Sequence, residues 1–450
     1  MALPTLWAMG LFDQLFGSSA GPAAPDPPVR FGRYTDVSKA PARLAAWEQA
    51  QDAFAARDYP KAFEQLLVFL RDPAEDNVTW ERDGTALRFE LHQGSVLVAG
   101  RATEAHFSAV ARIARSQRFP AYVLRPMLEK NYQLRYTRFA LDDRDCLVLR
   151  FDSHAVDGMP RKLVEGLREL ALQADKADDL LLEKHEELEA VDDTHLLPLS
   201  PHEKTVKYAF LQREIRRTLD ILRQPAYQLR EQPGGAAYLL LALCYKLDYL
   251  LKPEGGTMDV LERVHRIYQD ENGRLPYPKL DTLRRAFEGL SGRDRDAFFR
   301  EMYRVRSTFG VTAPLNHTAF VQALRGELDT LDWYANNQLS HIARAIPTYL
   351  VGHLLFRYAL PAPDHDLLHL YFHITENAYF RELGFKQIYY DDATAQFRPK
   401  AIRRALQRLA RHHRTLFPRF QLDHGGLNYA DDIRFRQSYL RLVSAVDLGR

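Results

Sequence analysis

Leu87, Phe89 and Leu91 alternate with Arg88, Glu90 and His92, a period of two that fits a half-buried strand and no helix. Asp83-Gly84 precedes this run and Gln93-Gly94 follows it, both turn pairs. Residues 78–81 and 96–99 therefore fold back on it, and an antiparallel meander is the fixed point of the chain.

Helical patterns flank the meander. Leu44, Trp47, Ala50, Gln51 and Phe54 recur at helical spacing, and Asp58-Tyr59-Pro60 ends the run. Pro60 opens a second helix with Ala62, Phe63, Leu66, Leu67 and Leu70 on one face. This pair looks like one tetratricopeptide-type hairpin, but no second copy follows, so a repeat array is not expected. After the meander, Phe107, Val110, Ala111 and Ile113 predict a helix over 104–115, and 121–130 reads as another. Residues 134–139 and 146–151 read as strands joined by Asp142-Asp143. Pro160 then starts a long helix with Leu163, Leu167, Leu170 and Ala174 on one side. The expected order is helix, three strands, helix, two strands, helix.

That order resembles the type III secretion chaperone-like fold. The run MLEKNYQLRYTRFALDDRDCLVLRFD, followed by LVEGLRELALQADKADDLL, resembles the bacterial YbjN family, which shares that fold. The matching positions are Leu128, Leu134, Tyr136, Phe139, Leu147, Leu149, Leu163, Leu167, Ala174 and Asp175, nearly all core or turn residues. The resemblance covers about a third of the chain. It implies a protein-binding or regulatory module without catalytic residues, often dimeric.

From Leu196 onward the punctuation changes. Ser200, Pro201 and Glu203 form a helix-start signature, and nearly everything beyond reads as helix. Breaks fall at Pro233-Gly234-Gly235, Pro253 to Gly256, Asn272-Gly273, Pro276 to Pro278, Gly310, Pro361 to Pro363 and Gly425-Gly426. The expected architecture is an α+β domain over 42–190 with an antiparallel sheet, then an irregular all-α domain over 191–450. Residues 1–41 read as an apolar plug (Leu11, Phe12, Leu15, Phe16) on a flexible Pro-rich linker. Met9 offers an alternative start, and the opening lacks the basic region and cleavage site of a signal peptide.

The net charge of +2 gives the 450-residue chain no strong overall field, so local charge has to carry any electrostatic argument. Cys146 and Cys244 both lie in apolar segments, which fits a reducing, cytoplasmic setting. No apolar run reaches the length of a membrane-spanning helix. Acids between Asp175 and Asp193 are expected to extend a helix into solvent.

Two constellations could carry chemistry. His365, His369, His373 and Glu376 fall within less than about a quarter turn of one helix, a spacing that can bring ligands onto a divalent metal. Arg398, Lys400, Arg403, Arg404, Arg408, Arg411, Arg414 and Arg419 form an acid-free basic face over 398–419, suited to phosphate, acidic protein or nucleic acid. Phosphate-loop and dinucleotide motifs do not occur. The expected function is a non-enzymatic, chaperone-like factor that holds a partner protein or a second copy, with Arg138 and Arg150 as polar rim. Nucleic-acid binding through 398–419 and a metal-dependent enzyme at the histidine face are the two alternatives.

Overall fold

The computed structural model describes residues 26–191, 194–270 and 276–449. The expected plug at 11–16 lies outside them. The chain divides as anticipated into an antiparallel sheet region with helices and a largely helical remainder.

Helices α1 (Pro41–Ala55) and α2 (Tyr59–Leu70) form the opening hairpin, with the Asp58 carboxylate accepting from the Lys61 amide. Strands β1 (Val78–Asp83), β2 (Ala86–Gln93), β3 (Val96–Ala102) and β4 (His106–Arg115) then run as one meander. Helix α3 (Ala121–Asn131) leads to β5 (Arg138–Leu141) and β6 (Cys146–His154). The order across the sheet is β1-β2-β3-β4-β6-β5. Helix α4 (Pro160–Lys184) covers one face, packing Leu163, Leu167 and Leu170 on Phe89, Phe107 and Leu149.

The helix expected over 104–115 is strand β4. Phe107, Ala109 and Ala111 face the core while Ser108, Val110 and Arg112 face away, so the period is two. A run of small and β-branched residues satisfies both periodicities locally. Pairing on both sides, with β3 and β6, decides for the strand.

After β7 (Glu189–Ala190) and β8 (Leu197–Pro198), the helical half begins with α5 (Pro201–Arg223), capped by the Ser200 hydroxyl as its sequence requires. Helix α6 (Pro233–Leu251) is its axis. By length and composition α6 could cross a membrane, but here it is mostly buried among α5, α7 (Gly255–Asp270), α8 (Tyr277–Ser291) and, further along the chain, α11 (Ser340–Arg357). Gly352 of α11 lets the two central helices touch, since a Cβ there would lie 2.7 Å from the Tyr245 side chain. Short α9 (Arg295–Arg300) and β9 (Tyr303–Arg304) replace the single helix expected over 293–308. Helices α10 (His317–Asn336), α12 (Ala362–Thr375), α13 (Asn377–Glu382), α14 (Pro399–His413) and α15 (Asp432–Ser444) complete the half. Both cysteines are free and buried.

Residues 26–39 are not a spacer. The Gly32 amide donates to the Tyr249 carbonyl at 2.8 Å, and Phe31 packs against Phe380 with ring centroids 4.9 Å apart. The nearly buried Arg33 guanidinium donates to Asp248 at 2.7 Å and to Glu262 at 2.9 Å. Tyr34 donates to Asp72 at 2.9 Å, so this strap ties the helical half to the α1–α2 hairpin.

The acidic run divides: Glu183, Glu186, Glu187 and Glu189 are exposed as expected, whereas Asp175, Asp178 and Asp179 of α4 form a domain seam. Gly94 turns with φ +58° directly against Asp175, leaving no room for a side chain. The Ser95 hydroxyl donates to Asp178 at 2.8 Å. Asp179 accepts from the Gly255 amide at 3.1 Å and the Tyr303 hydroxyl at 3.0 Å. The Glu301 carboxylate accepts from the Gly256 and Thr257 amides, and Arg293 bridges it to Glu183. Burial pushes the Asp175, Asp178 and Asp179 carboxyls up.

Glu254, beside them, is pushed up to about 7 by burial, with Asp179 and Asp248 adding and Lys252 and Arg33 opposing. A carboxyl raised on folding favours the native state below its ordinary value of 4.5, and this contribution is lost as pH rises through about 7. Glu254→Gln removes the ionisation. Its stability relative to the parent should rise by about 2–3 kcal/mol between about pH 5 and about pH 8, measured by urea unfolding. A constant difference across that range would refute the burial of this carboxyl.

Candidate functional site

The four residues expected to share a metal do not converge. His365, at the start of α12, is half exposed and sits 3.2 Å from Asp366. Asp366 also meets the buried His413 of α14 at 2.8 Å. Burial works against its charge, but these two imidazoles hold it down at about 2. His369 Nδ1 lies 2.7 Å from the Tyr249 hydroxyl. His373 is fully buried, stacked on Phe380 at 4.1 Å, and neither of its ring nitrogens has a hydrogen-bond partner. Among the described residues no group of three or more His, Cys, Asp or Glu is arranged to hold a metal ion. One helix face is not one direction: α12 is enclosed on nearly every side, so each imidazole meets a different neighbour.

Glu376 turns away from the histidines into a cleft of about 470 Å³ lined by α5, α6, α11, α15 and the α12–α13 junction. There Lys246 is clamped between Glu214 and Glu376, the latter at 3.2 Å. Burial raises the Glu376 carboxyl despite Lys246, whereas at Glu214 the lysine outweighs burial and lowers it. Deeper, Arg436 donates to Asp432 at 2.9 Å, to the Thr348 hydroxyl at 3.0 Å and to the Tyr371 hydroxyl at 2.9 Å. The sequence hides this arrangement, because Arg436 on α15 lies far along the chain from Glu214 on α5 and Lys246 on α6. Lysine and glutamate inside otherwise apolar α6 and α5 faces were the available signal.

The basic face is real but partly spoken for. Ile402, Leu406 and Leu409 of α14 are buried, and Lys400, Arg403, Arg404, Arg411 and Arg414 are exposed. Arg398 pairs with Asp391 at 3.0 Å and Arg419 with Asp447 at 3.8 Å, whereas Arg408 is half buried. None of these pairs uses the distant 175–191 acids. Leu416, just past the end of α14, is 74% exposed.

The uncovered face of the sheet forms an open groove of about 980 Å³. Small and apolar Ala99, Val110, Ala140 and Val148 make its floor, and Arg88, Glu90, Arg101, Arg112 and Arg150 its rim. Arg150 pairs with Asp152 and Arg112 with Asp142. Arg138 donates to the Leu134 carbonyl at 3.0 Å, a structural bond. At the β5 edge, the Asn131 side chain takes both main-chain groups of Phe139, at 2.7 and 3.1 Å, so α3 closes that edge to an added strand there. Helix α3 itself buries only Val123. It leaves Tyr122 and Leu128 exposed, followed by Tyr132, Tyr136 and Leu141.

An imidazole whose nitrogens are both unbonded in the core is costly. Burial pushes His373 down from 6.5 to about 3, so its neutral form is compatible with the fold above 6.5 and stability is lost as pH falls below that. His373→Phe should stabilise the protein, and its advantage should be about 2 kcal/mol larger near pH 5 than near pH 7 in denaturant unfolding. Destabilisation at both pH values would show that the ring has a polar role. Comparison with known proteins finds no matching family model, no matching curated protein and no matching solved structure.

Proposed function

We propose that this chain is a non-enzymatic factor that holds a partner protein on the surface formed by α3, β5 and the adjoining sheet groove. One observation carries the reading. Within twenty residues, Tyr122 (62%), Leu128 (67%), Tyr132 (95%), Tyr136 (37%) and Leu141 (50%) are exposed, five of the fourteen large apolar side chains so exposed among the described residues. Tyrosines and leucines grouped this way are typical of interface cores, where each buried ring contributes more than its polar neighbours. Leu141 also lines the sheet groove.

The charge around the patch defines the partner. Residues 118–138 carry Arg118, Arg125, Lys130, Arg135 and Arg138 against Glu129 alone. The nearby Glu169 is occupied by the amides of Arg135, Tyr136 and Thr137. A partner with an apolar strip and acidic flanks fits this surface, and a second copy with the same basic flank fits it less well. The resemblance to the YbjN and type III secretion chaperone-like families agrees with a binding role. With the β5 edge closed at Phe139, burial of apolar side chains rather than strand addition there supplies the affinity.

Affinity capture of the intact chain from its own cells tests this. The parent should retain a stoichiometric protein partner, and Leu128→Asp combined with Tyr132→Asp should lose it at least tenfold. Leu416→Asp, on another surface, should retain it. Equal capture by the parent and both variants would reject the site. A light-scattering dimer that falls apart only in the double variant would replace the foreign partner with self-association.

A further inference from the structure

We propose that the cleft of the helical half binds a small phosphate monoester with a hydroxylated body, its phosphoryl group held by Arg217 and Arg344 beside His341. This goes beyond partner binding on the sheet domain and uses none of the same residues.

The argument starts from which cations in the cleft are already neutralised. Lys246 has two carboxylates, Glu214 and Glu376. Arg436 takes Asp432 at 2.9 Å through its Nε and holds Thr348 and Tyr371 besides. Arg213 pairs with Glu382 at 3.2 Å. Two guanidiniums at the opening are the least compensated. Arg217 is exposed and makes no ion pair among the described residues. Arg344, through its buried Nε, reaches the Asp432 that Arg436 also engages, at 3.4 Å, and so shares that one carboxylate.

These two side chains face the same place. Arg217 stands on α5 and Arg344 on α11, and both line the cleft with His341. Burial first, then the charges of Arg344 and Arg217, push the His341 imidazole down, so it stands there as a neutral ring able to donate one hydrogen bond. Arg217, which has no carboxylate among the described residues, and Arg344, which shares Asp432 with Arg436, offer guanidinium N–H groups from two helices, and the several oxygens of a phosphate monoester can accept from both. Guanidiniums bind such oxygens in pairs through parallel N–H groups. Arg213 and Arg216 extend the basic lining along the neighbouring groove of α5.

The remainder of the cleft describes the rest of the ligand. Tyr390 and Phe397 form one wall, and Leu239, Ala242 and Leu243 form another. Farther in, Lys246, Glu214 and Glu376 present donors and acceptors side by side, which suits hydroxyl groups. The volume of about 470 Å³ lies within the range of sites for small metabolites.

Isothermal titration of the full chain at near-physiological salt tests the assignment, with glucose 6-phosphate, ribose 5-phosphate and inorganic phosphate as probes and glucose and citrate as controls. The expected result is saturable binding of at least one sugar phosphate, tighter than inorganic phosphate. Arg217→Glu and Arg344→Gln should each weaken it at least tenfold. Glu376→Gln should weaken the sugar phosphate but leave inorganic phosphate unchanged. Arg404→Glu, on the basic α14 face, should change neither. Circular dichroism of each variant separates lost binding from lost folding, and the exposed Arg217 gives the variant least exposed to that ambiguity. The proposal is overturned if no probe binds at millimolar concentration or if citrate binds as tightly as the phosphates. It is equally overturned if Arg217→Glu binds like the parent, or if Arg404→Glu loses binding to the same degree.

Discussion

Burying several carboxylates between two domains is unfavourable unless each finds donors, and this requirement holds the two halves of the chain in register. The donors come from both sides. Ser95, on the β2–β3 turn, serves Asp178, while the first amides of α7 and the Tyr303 hydroxyl serve Asp179 and Glu301. The Gln93 carboxamide accepts from the Thr308 and Phe309 amides at 3.2 and 2.9 Å, and Phe309 inserts into the core beneath the sheet. The helical half thus supplies a side chain to the sheet's own core. Sliding one half past the other would expose Phe309 and strand the aspartates together. A sheet face left open on such a body is positioned by a rigid support, which a docking surface needs.

The strap works toward the same end from a different direction. Arg33 bridges Asp248 on α6 and Glu262 on α7, so removing the guanidinium would strip the buried Asp248 of its cation and leave Glu262 to Lys176 alone. Proline and glycine around it read as a linker because composition reports chain stiffness, not what the backbone lies against. A single arginine in such a stretch carries no periodicity, and only its acceptors, more than two hundred residues away, give it meaning.

Much of the sheet domain was legible because its signals are local. Turn pairs at Asp83-Gly84 and Gln93-Gly94, the alternation through β2, and the Pro160 start of α4 all appear where residues within a few positions decide the outcome. Strand β4 was misread because small residues between Phe107 and Ile113 satisfy two periodicities, and long-range pairing had to decide. The acidic run of α4 failed for a related reason. Charge usually marks solvent, but Asp175 and Asp178 stand on the same face as Leu167, Leu170, Ala171 and Ala174, and that face continues into the seam. In the helical half, a four-residue spacing correctly put His365, His369 and His373 on one helix and said nothing about what surrounds it.

Charge compensation separates the binding candidates more sharply than charge content does. The α14 face is the most basic in the sequence, yet it is a solvent-exposed convex strip where attraction is screened within about 10 Å at ordinary salt. Inside the cleft of the helical half Lys246 has two carboxylates, Arg344 and Arg436 share Asp432, and Arg217 makes no ion pair among the described residues. Arg217 and Arg344 line one recess beside His341, so their attraction is more directional than that of a longer row of charges in open solvent. If the cleft takes the phosphoryl group as proposed, α14 adds only the weaker, salt-sensitive attraction common to any basic surface.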